Sequence, residues 1–166
     1  KTLWLVPSSI RSREIRKVIQ EGYDVNQLNE GFHDLIERLQ LDYLLIDTHP
    51  GLNDETLLSV AISDVLIIIM RPDQQDFQGT AVTVDIATSL DVPHLFLVVN
   101  KVLSRYDFDQ VQKQVEDFYD QKVASVLPLS EDIVDMGSAD IFALVSPEHR
   151  WSQGIQAITQ TVINAE

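Results

Sequence analysis

The chain has 166 residues, of which 45% are hydrophobic and 23% are charged, and its formal net charge at pH 7 is −14. These values predict a globular domain with an apolar core and exclude an intrinsically disordered chain. The absence of cysteine excludes a disulfide framework and a thiolate zinc site. So acidic a surface repels phosphate backbones, which argues against non-specific binding of DNA.

Five short apolar runs follow one another along the chain. In order they are "LWLVPS" (3–8), "YLLID" (43–47), "VLIIIM" (65–70), "LFLVVN" (95–100) and "VASVLP" (123–128). They are rich in Val, Ile and Leu, and polar residues do not alternate with apolar ones. This pattern is typical of parallel strands that are buried on both faces of a sheet.

Helical patterns separate and follow these runs. Apolar residues recur at spacings of three and four within 32–39, 57–62, 77–90, 108–118 and 155–163. The alternation of strands with helices predicts a single domain, residues 1–166, of the α/β class. Its expected architecture is a three-layer sandwich, with a mainly parallel sheet and helices on both faces.

Ligands of such sheets bind beyond the carboxyl ends of the strands. The segments at those positions are "PSS" (7–9), "DTHPG" (47–51), "RPD" (71–73), "NK" (100–101) and "PLSED" (128–132). Loops are generally polar, but this does not account for an aspartate, an Asn-Lys pair and a proline at three neighbouring strand ends. We therefore expect the functional site at this edge.

Two classes of protein with such an edge fit the sequence poorly. A phosphoaspartate receiver needs an acidic pair after its first strand to hold Mg²⁺, and "LWLVPSS" ends in proline and serines. A guanine-nucleotide switch would continue Asn100-Lys101 with an aspartate at position 103, where this chain has Leu103.

The order of the five segments resembles the MinD/ParA family of deviant P-loop ATPases over essentially the whole chain. The most specific part is Asp47-Thr48-His49-Pro50-Gly51, which is similar to the family's Asp-[Ser/Thr]-x-[Pro/Ala]-Gly switch. A second part is "VLPLSEDI", which is similar to the family's Val-Ile-Pro-x-Asp turn. The resemblance implies a P-loop NTPase-like fold with ATP and Mg²⁺ as cofactors.

The resemblance also implies roles for the residues of the switch. Asp47 would hold a water of the Mg²⁺ shell, and Gly51 would bring its backbone N–H to the γ-phosphate; these two are the candidate catalytic residues. Thr48 would shape the loop beside the nucleotide, and Pro50 would restrict it. His49 has the character of a variable loop position.

On the base side, the resemblance implies that Asn100 contacts adenine through its amide. Pro128, Leu129 and Ser130 would then lie against the ring. A turn-capping role for Asn100 is the alternative. The chain also departs from the family here, because the acidic residue expected two positions after the proline is replaced by Ser130, with Glu131 and Asp132 following.

The family's glycine-rich phosphate loop is absent from the 166 residues, and so is its first switch. Lys1-Thr2 does not substitute for the loop, because a strand-like run follows where a P-loop opens a helix. We therefore expect an upstream piece to be missing, and the chain alone not to hydrolyse ATP. A nucleotide-free pseudo-ATPase that acts as an interaction module is the alternative.

The resemblance implies partners and a destination for the full-length protein. The protein would form a homodimer and bind a regulatory protein partner. It would act in the cytoplasm, in ATP-dependent positioning or partitioning on DNA or on a membrane surface. The acidic charge supports neither surface, apart from the basic cluster of Arg11, Arg13, Arg16 and Lys17. The final segment, 151–166, contains no Lys or Arg, so it is expected to pack as a closing helix rather than to anchor a membrane.

Overall fold

The computed structural model describes residues 3–7, 25–48 and 51–165. The chain divides into two compact units, with the division between Leu58 and Ser59. In the first unit, α1 spans Val25–Leu39. The division falls within the next helix, α2, which spans Asp54–Ala61. The side-chain amide oxygen of Asn53 accepts a hydrogen bond from the N–H of Thr56 and so caps the start of α2.

The second unit is built on a parallel sheet of three strands in the order β1-β2-β3. The strands are β1 (Val65–Met70), β2 (His94–Val102) and β3 (Lys122–Pro128). Two helices connect them, α3 (Gln74–Ser89) and α4 (Phe108–Tyr119). Two short helices follow, α5 (Glu131–Met136) and α6 (Phe142–Val145), and α7 (Arg150–Ile163) ends the described chain. The predicted α/β architecture is confirmed.

The middle strand β2 is covered on both faces. Leu97, Val98 and Val99 are consecutive and at most 1% exposed, and successive side chains of a strand point to opposite faces. Leu97 and Val99 belong to the main core cluster, which α3 and α4 complete through Val84 and Val115 among others. These residues place α3 and α4 on one face of the sheet.

The last helix covers the other face at β3. A Cβ on Gly154 of α7 would lie 2.9 Å from Ser125 Oγ and 2.4 Å from Leu127 Cδ2, so the helix backbone approaches the strand closely there. Ser125 is the register partner of Val98, which lies on the face opposite Leu97 and Val99. The sheet is therefore the middle of three layers, with α7 as the closing helix that the sequence predicts.

An aromatic cluster joins α3 and α4, which lie on the same face of the sheet. The Tyr119 hydroxyl of α4 donates a 2.8 Å hydrogen bond to the carbonyl oxygen of Phe77 in α3. The Phe77 ring stacks on Tyr119 and meets Phe118 edge-on, with centroids 5.7 and 5.6 Å away. Burial raises the pKa of the Tyr119 hydroxyl above its usual value.

Two of the five predicted strands are not observed. Residues 3–7 and 43–48 lie outside any helix or strand, and residue 8 is outside the described residues. Leu5 and Leu45 are 87% and 86% exposed. A strand forms only when a neighbour pairs with its backbone, and the three strands of the described sheet pair only with one another. Within the second unit, β1 is accordingly an edge strand.

Candidate functional site

The carboxyl ends of β2 and β3 bring four of the predicted site residues to one edge of the second unit. Val102 at the end of β2 pairs with Pro128 at the end of β3. Beyond this pair, the N–H of Leu129 donates a 2.8 Å hydrogen bond to the carbonyl oxygen of Val102. Asn100 lies two residues before Val102, and Ser130 follows Leu129. The four residues thus lie at the carboxyl ends of two neighbouring strands, where the sequence places the site.

Asn100 lies in an irregularity of β2. The register slips between Val99 and Val102, and Lys101 adopts a left-handed conformation with φ of 59°. The Asn100 side-chain oxygen accepts a 2.8 Å hydrogen bond from the N–H of Lys101. Because this bond identifies the amide oxygen, the amide NH₂ is the group that remains to donate to a ligand.

The turn after β3 offers an apolar surface at the same edge of the sheet as this donor. Pro128 and Ser130 are half-buried, whereas the Leu129 side chain is 47% exposed. An exposed aliphatic side chain and an amide donor at the same edge of the sheet suit a flat heterocycle, which needs apolar contact on its face and hydrogen bonds at its edge. The donor set therefore fits a nucleobase.

The Ser130 hydroxyl contacts a histidine for which the sequence predicts no role. His149 Nε2 lies 3.4 Å from Ser130 Oγ and 3.4 Å from Asp132 Oδ2. His149 is also the N-cap of α7, where its Nδ1 accepts a 3.0 Å hydrogen bond from the N–H of Trp151. The sequence signal would have been a single polar residue directly before the closing helix, which is typical of an N-cap position.

The Ser130, His149 and Asp132 side chains do not form a nucleophilic triad. In a triad the serine and the aspartate contact different ring nitrogens of the histidine, and here both contact Nε2. Since Nδ1 accepts from a backbone N–H, the proton of the neutral ring is on Nε2. The ring therefore cannot take a proton from Ser130.

The carboxyl end of β1 carries an ion-pair cluster. The Arg71 guanidinium Nε lies 3.0 Å from Asp76 Oδ2 and 3.3 Å from Asp73 Oδ2. The N–H of Arg71 also donates to Asp76. The side-chain hydrogen bond from Arg71 lowers the pKa of Asp76, and the same bond raises the pKa of Arg71. This guanidinium is thus held by carboxylates of its own unit.

The switch residues belong to the first unit, and His49 and Pro50 lie outside the described residues. Asp47 and Thr48 are exposed and lie in no strand, so the expectation that a strand tip mounts Asp47 is wrong for this structure. Gly51 is exposed and has φ of 107°, a backbone conformation that favours glycine. No group of three or more His, Cys, Asp or Glu suited to a metal occurs in the described part of the chain.

Comparisons with known proteins agree on the fold. No protein-family profile matches the chain. An uncharacterized ATP-binding protein of Methanocaldococcus jannaschii is 22% identical over 163 residues, which cover 98% of this chain and 59% of that protein. The cell division protein MinD of Aquifex aeolicus superposes with a TM-score of 0.71 at 16% identity, covering 84% of this chain and 61% of MinD.

MinD in its complex with MinC, from the same organism, gives the same TM-score and identity over 84% of this chain and 59% of that chain. The chain therefore has a MinD-like fold over 84% of its length, which confirms the resemblance seen in the sequence at the level of structure. The chain spans about three fifths of the length of these relatives. Among the described helices, none is long and apolar enough to cross a membrane.

Proposed function

We propose that this chain is the body and C-terminal part of a MinD/ParA-type ATPase. The observation that carries the proposal is the edge formed by Asn100 and the turn 128–130 within a MinD-like fold. An amide donor and an exposed leucine lie at the carboxyl ends of adjacent parallel strands, where ligands of such sheets bind. ATP is the proposed nucleotide, since the relative in M. jannaschii is described as an ATP-binding protein.

Asn100 and the turn would act on the base. The amide NH₂ of Asn100 donates to a ring nitrogen of adenine, while Pro128 and Leu129 pack against the ring. Backbone groups of Leu129 and Ser130 complete the contacts to its edge. Each such contact is modest, and together they would orient the base.

The switch residues would act on the phosphate side. Asp47 is proposed to hold Mg²⁺ through a water, with Thr48 shaping the loop and Gly51 presenting its N–H to the γ-phosphate. The positive φ of Gly51 supports this role, because a residue with a Cβ would resist that conformation. Bound Mg²⁺ would neutralise phosphate charge. The glycine-rich cradle that the phosphates also need is not in this sequence.

The cellular role is proposed by analogy with the neighbour in fold. The protein would be cytoplasmic, would dimerise when it binds ATP, and would position or partition a cargo within the cell. A regulatory protein partner is part of the proposal, because MinD forms a complex with MinC. The net charge of −14 favours a protein partner over DNA or an anionic membrane surface.

An interaction module without nucleotide is the second candidate. It is favoured by the absence of a glycine-rich loop from the sequence and by the exposure of Leu3, Leu5 and Leu45, which offers apolar surface for association.

Binding of a fluorescent ATP analogue separates the two candidates. We would compare the 166-residue chain with the same chain extended upstream by its own gene, each with and without Mg²⁺. Tight binding that needs the extension, and that Asn100→Ala weakens about fivefold through one lost hydrogen bond, supports the ATPase. Binding by neither chain favours the interaction module.

Hydrolysis gives a separate test of the phosphate side. The 166-residue chain is expected to release no phosphate from ATP above background. Mg²⁺-dependent release that Asp47→Ala abolishes would show that the cradle is not required, and the proposal would then be wrong on this point.

A further inference from the structure

We propose that His149 is a positioning residue that fixes the base-side turn, residues 128–130, to the start of α7. The part of this inference that concerns the base rests on the function proposed above. The part that concerns the turn rests on contacts alone. Both are tested separately below.

The protonation state of the ring follows from its two contacts. Nδ1 accepts from the N–H of Trp151 at 3.0 Å, so it carries no proton. Nε2 then bears the ring proton and donates it toward Ser130 Oγ, 3.4 Å away, while Asp132 Oδ2 lies 3.4 Å from the same nitrogen. One imidazole thus caps a helix with one nitrogen and holds a turn with the other.

The helix that follows the turn lacks a side-chain N-cap hydrogen bond, and the contact with His149 explains why. Ser130 is the N-cap of α5, yet its side chain makes no capping hydrogen bond within that helix. Serine normally caps by accepting from a backbone N–H two or three residues on. Here the hydroxyl lies near His149 instead, 19 residues away in sequence. The Ser130 side chain therefore connects the turn to α7 instead of capping α5.

The start of α7 is itself firmly held. The Arg150 guanidinium lies 3.7 Å from the centroid of the Phe108 ring at the start of α4. Phe142 meets the rings of His149 and Trp151 edge-on, with centroids 5.0 and 6.0 Å away. Because the start of α7 is held by contacts outside the turn, it can restrain the turn.

The turn is consequently held from two sides. Leu129 is bonded to Val102 of β2 through its N–H, and Ser130 is in contact with α7 through His149. A turn restrained in this way presents its backbone groups in one geometry, which lowers the entropy lost when a ligand binds. His149 would therefore act on a base through the turn, without touching the base.

The first experiment measures the turn without any nucleotide. His149→Asn keeps an N-cap acceptor for α7, since asparagine is a strong N-cap residue, but lacks the second ring nitrogen. Amide hydrogen exchange of Leu129 should accelerate about fivefold, the effect of losing one hydrogen bond. Exchange of the Trp151 amide should stay within twofold, which shows that the cap survives.

Two further variants bracket this result. His149→Ala removes both contacts, so the amides of Leu129 and Trp151 should both exchange faster. His94→Asn changes a histidine on β2 that stacks on Phe96, and Leu129 should be unaffected. In the wild type, nitrogen NMR of the His149 ring should show the proton on Nε2. Unchanged exchange at Leu129 in His149→Asn, or a proton on Nδ1, overturns the proposal.

The second experiment tests the base. In the extended chain, His149→Asn should reduce the preference for an ATP analogue over a GTP analogue about fivefold, and leave the affinity for inorganic tripolyphosphate unchanged. Equal weakening of all three ligands would overturn the role in base recognition. Failure of the wild type to bind any nucleotide would refute the proposed function, while the exchange experiment still decides whether His149 positions the turn.

Discussion

The N–H of Leu129 donates to the carbonyl oxygen of Val102 across 2.8 Å, and this bond continues the pairing of β2 with β3 beyond a slip in their register. The slip places Asn100 and Lys101 opposite fewer residues of β3 than a regular ladder would. At this slip, Lys101 adopts a left-handed backbone conformation. The irregularity lies at the carboxyl ends of the strands, where the candidate site is.

Substitution of Lys101 by glycine tests the backbone strain at this slip. With φ of 59°, Lys101 adopts a conformation that glycine tolerates better than lysine. Lys101→Gly should therefore raise the free energy of unfolding by up to about 1 kcal/mol. Chemical denaturation measures the change, and Lys113→Gly, in the middle of α4, should instead lower it by about 1 kcal/mol. The same sign for both variants would contradict the prediction.

The contact between α7 and β3 predicts a steric effect at Gly154. A Cβ there would lie 2.4 Å from Leu127 Cδ2, and Leu127 is buried, so its side chain has little room to move. Gly154→Ala should lower the free energy of unfolding by about 1–3 kcal/mol. Gly79→Ala in α3 is the matched control, since nothing lies within 4 Å of its added methyl group.

The control should change in the opposite direction. Alanine is favoured over glycine inside a helix, so Gly79→Ala should stabilise the protein by about 0.5–1 kcal/mol. If Gly154→Ala were stabilising as well, α7 would not pack on β3 as closely as the structure shows. Thermal and chemical denaturation of the two variants side by side measure the difference.

The hydrogen bond from Tyr119 to Phe77 predicts a cost for Tyr119→Phe. The change leaves the carbonyl oxygen of Phe77 without this donor and should lower the free energy of unfolding by about 0.5–1.5 kcal/mol. Tyr106→Phe is the matched control. The Tyr106 side chain is 48% exposed, so removal of its hydroxyl should leave the free energy of unfolding nearly unchanged. An equal cost for both variants would show that the bond to Phe77 is not significant.

Alkaline pH should also weaken the protein through Tyr119. Burial raises the pKa of its hydroxyl above the ordinary value of 10.0, so the unfolded chain ionises first as the pH rises. The stabilisation is complete below pH 10 and is lost as the pH rises through the folded-state pKa. Denaturation curves between pH 9 and about 11 should show this loss in the wild type and a smaller loss in Tyr119→Phe.

The ion pair of Arg71 with Asp76 predicts a pH effect at the acidic end. The side-chain hydrogen bond lowers the pKa of Asp76 below 3.8, so its stabilisation is present above that pH and is lost as the pH falls through the folded-state pKa. NMR titration of the Asp76 carboxyl group should show its pKa rising in Arg71→Gln. Arg38→Gln, which breaks an ion pair of α1, should leave the Asp76 titration unchanged; a similar rise there would remove Arg71 as the cause.

The three strands of the second unit were predictable because each of them coincides with a continuous apolar run in the sequence. The runs 65–70, 95–100 and 123–128 differ from β1, β2 and β3 by at most two residues at either end. Strands covered on both faces need continuous apolar sequence, so the signal is strong. The short helices α5 and α6 were not predicted, since helices of six and four residues leave too little periodicity to detect.

The candidate site was predictable where it depends on position at a strand end. Asn100 and the turn 128–130 lie at the same edge because parallel strands bring their carboxyl ends together. His149 was not predictable in its role, because its partner Ser130 is 19 residues away and only packing brings them together. The roles of Asp47, Thr48 and Gly51 stay predictions.

The sequence by itself determined the class of fold and the edge of the sheet at which the candidate site lies, since these follow from local apolar runs and their order. Tertiary structure decided which runs become strands. "LWLV" and "YLLID" carry the same apolar signal as β1, yet neither is a strand in the described residues. Burial preference is a property of a segment, but pairing is a property of two segments, and a strand needs both.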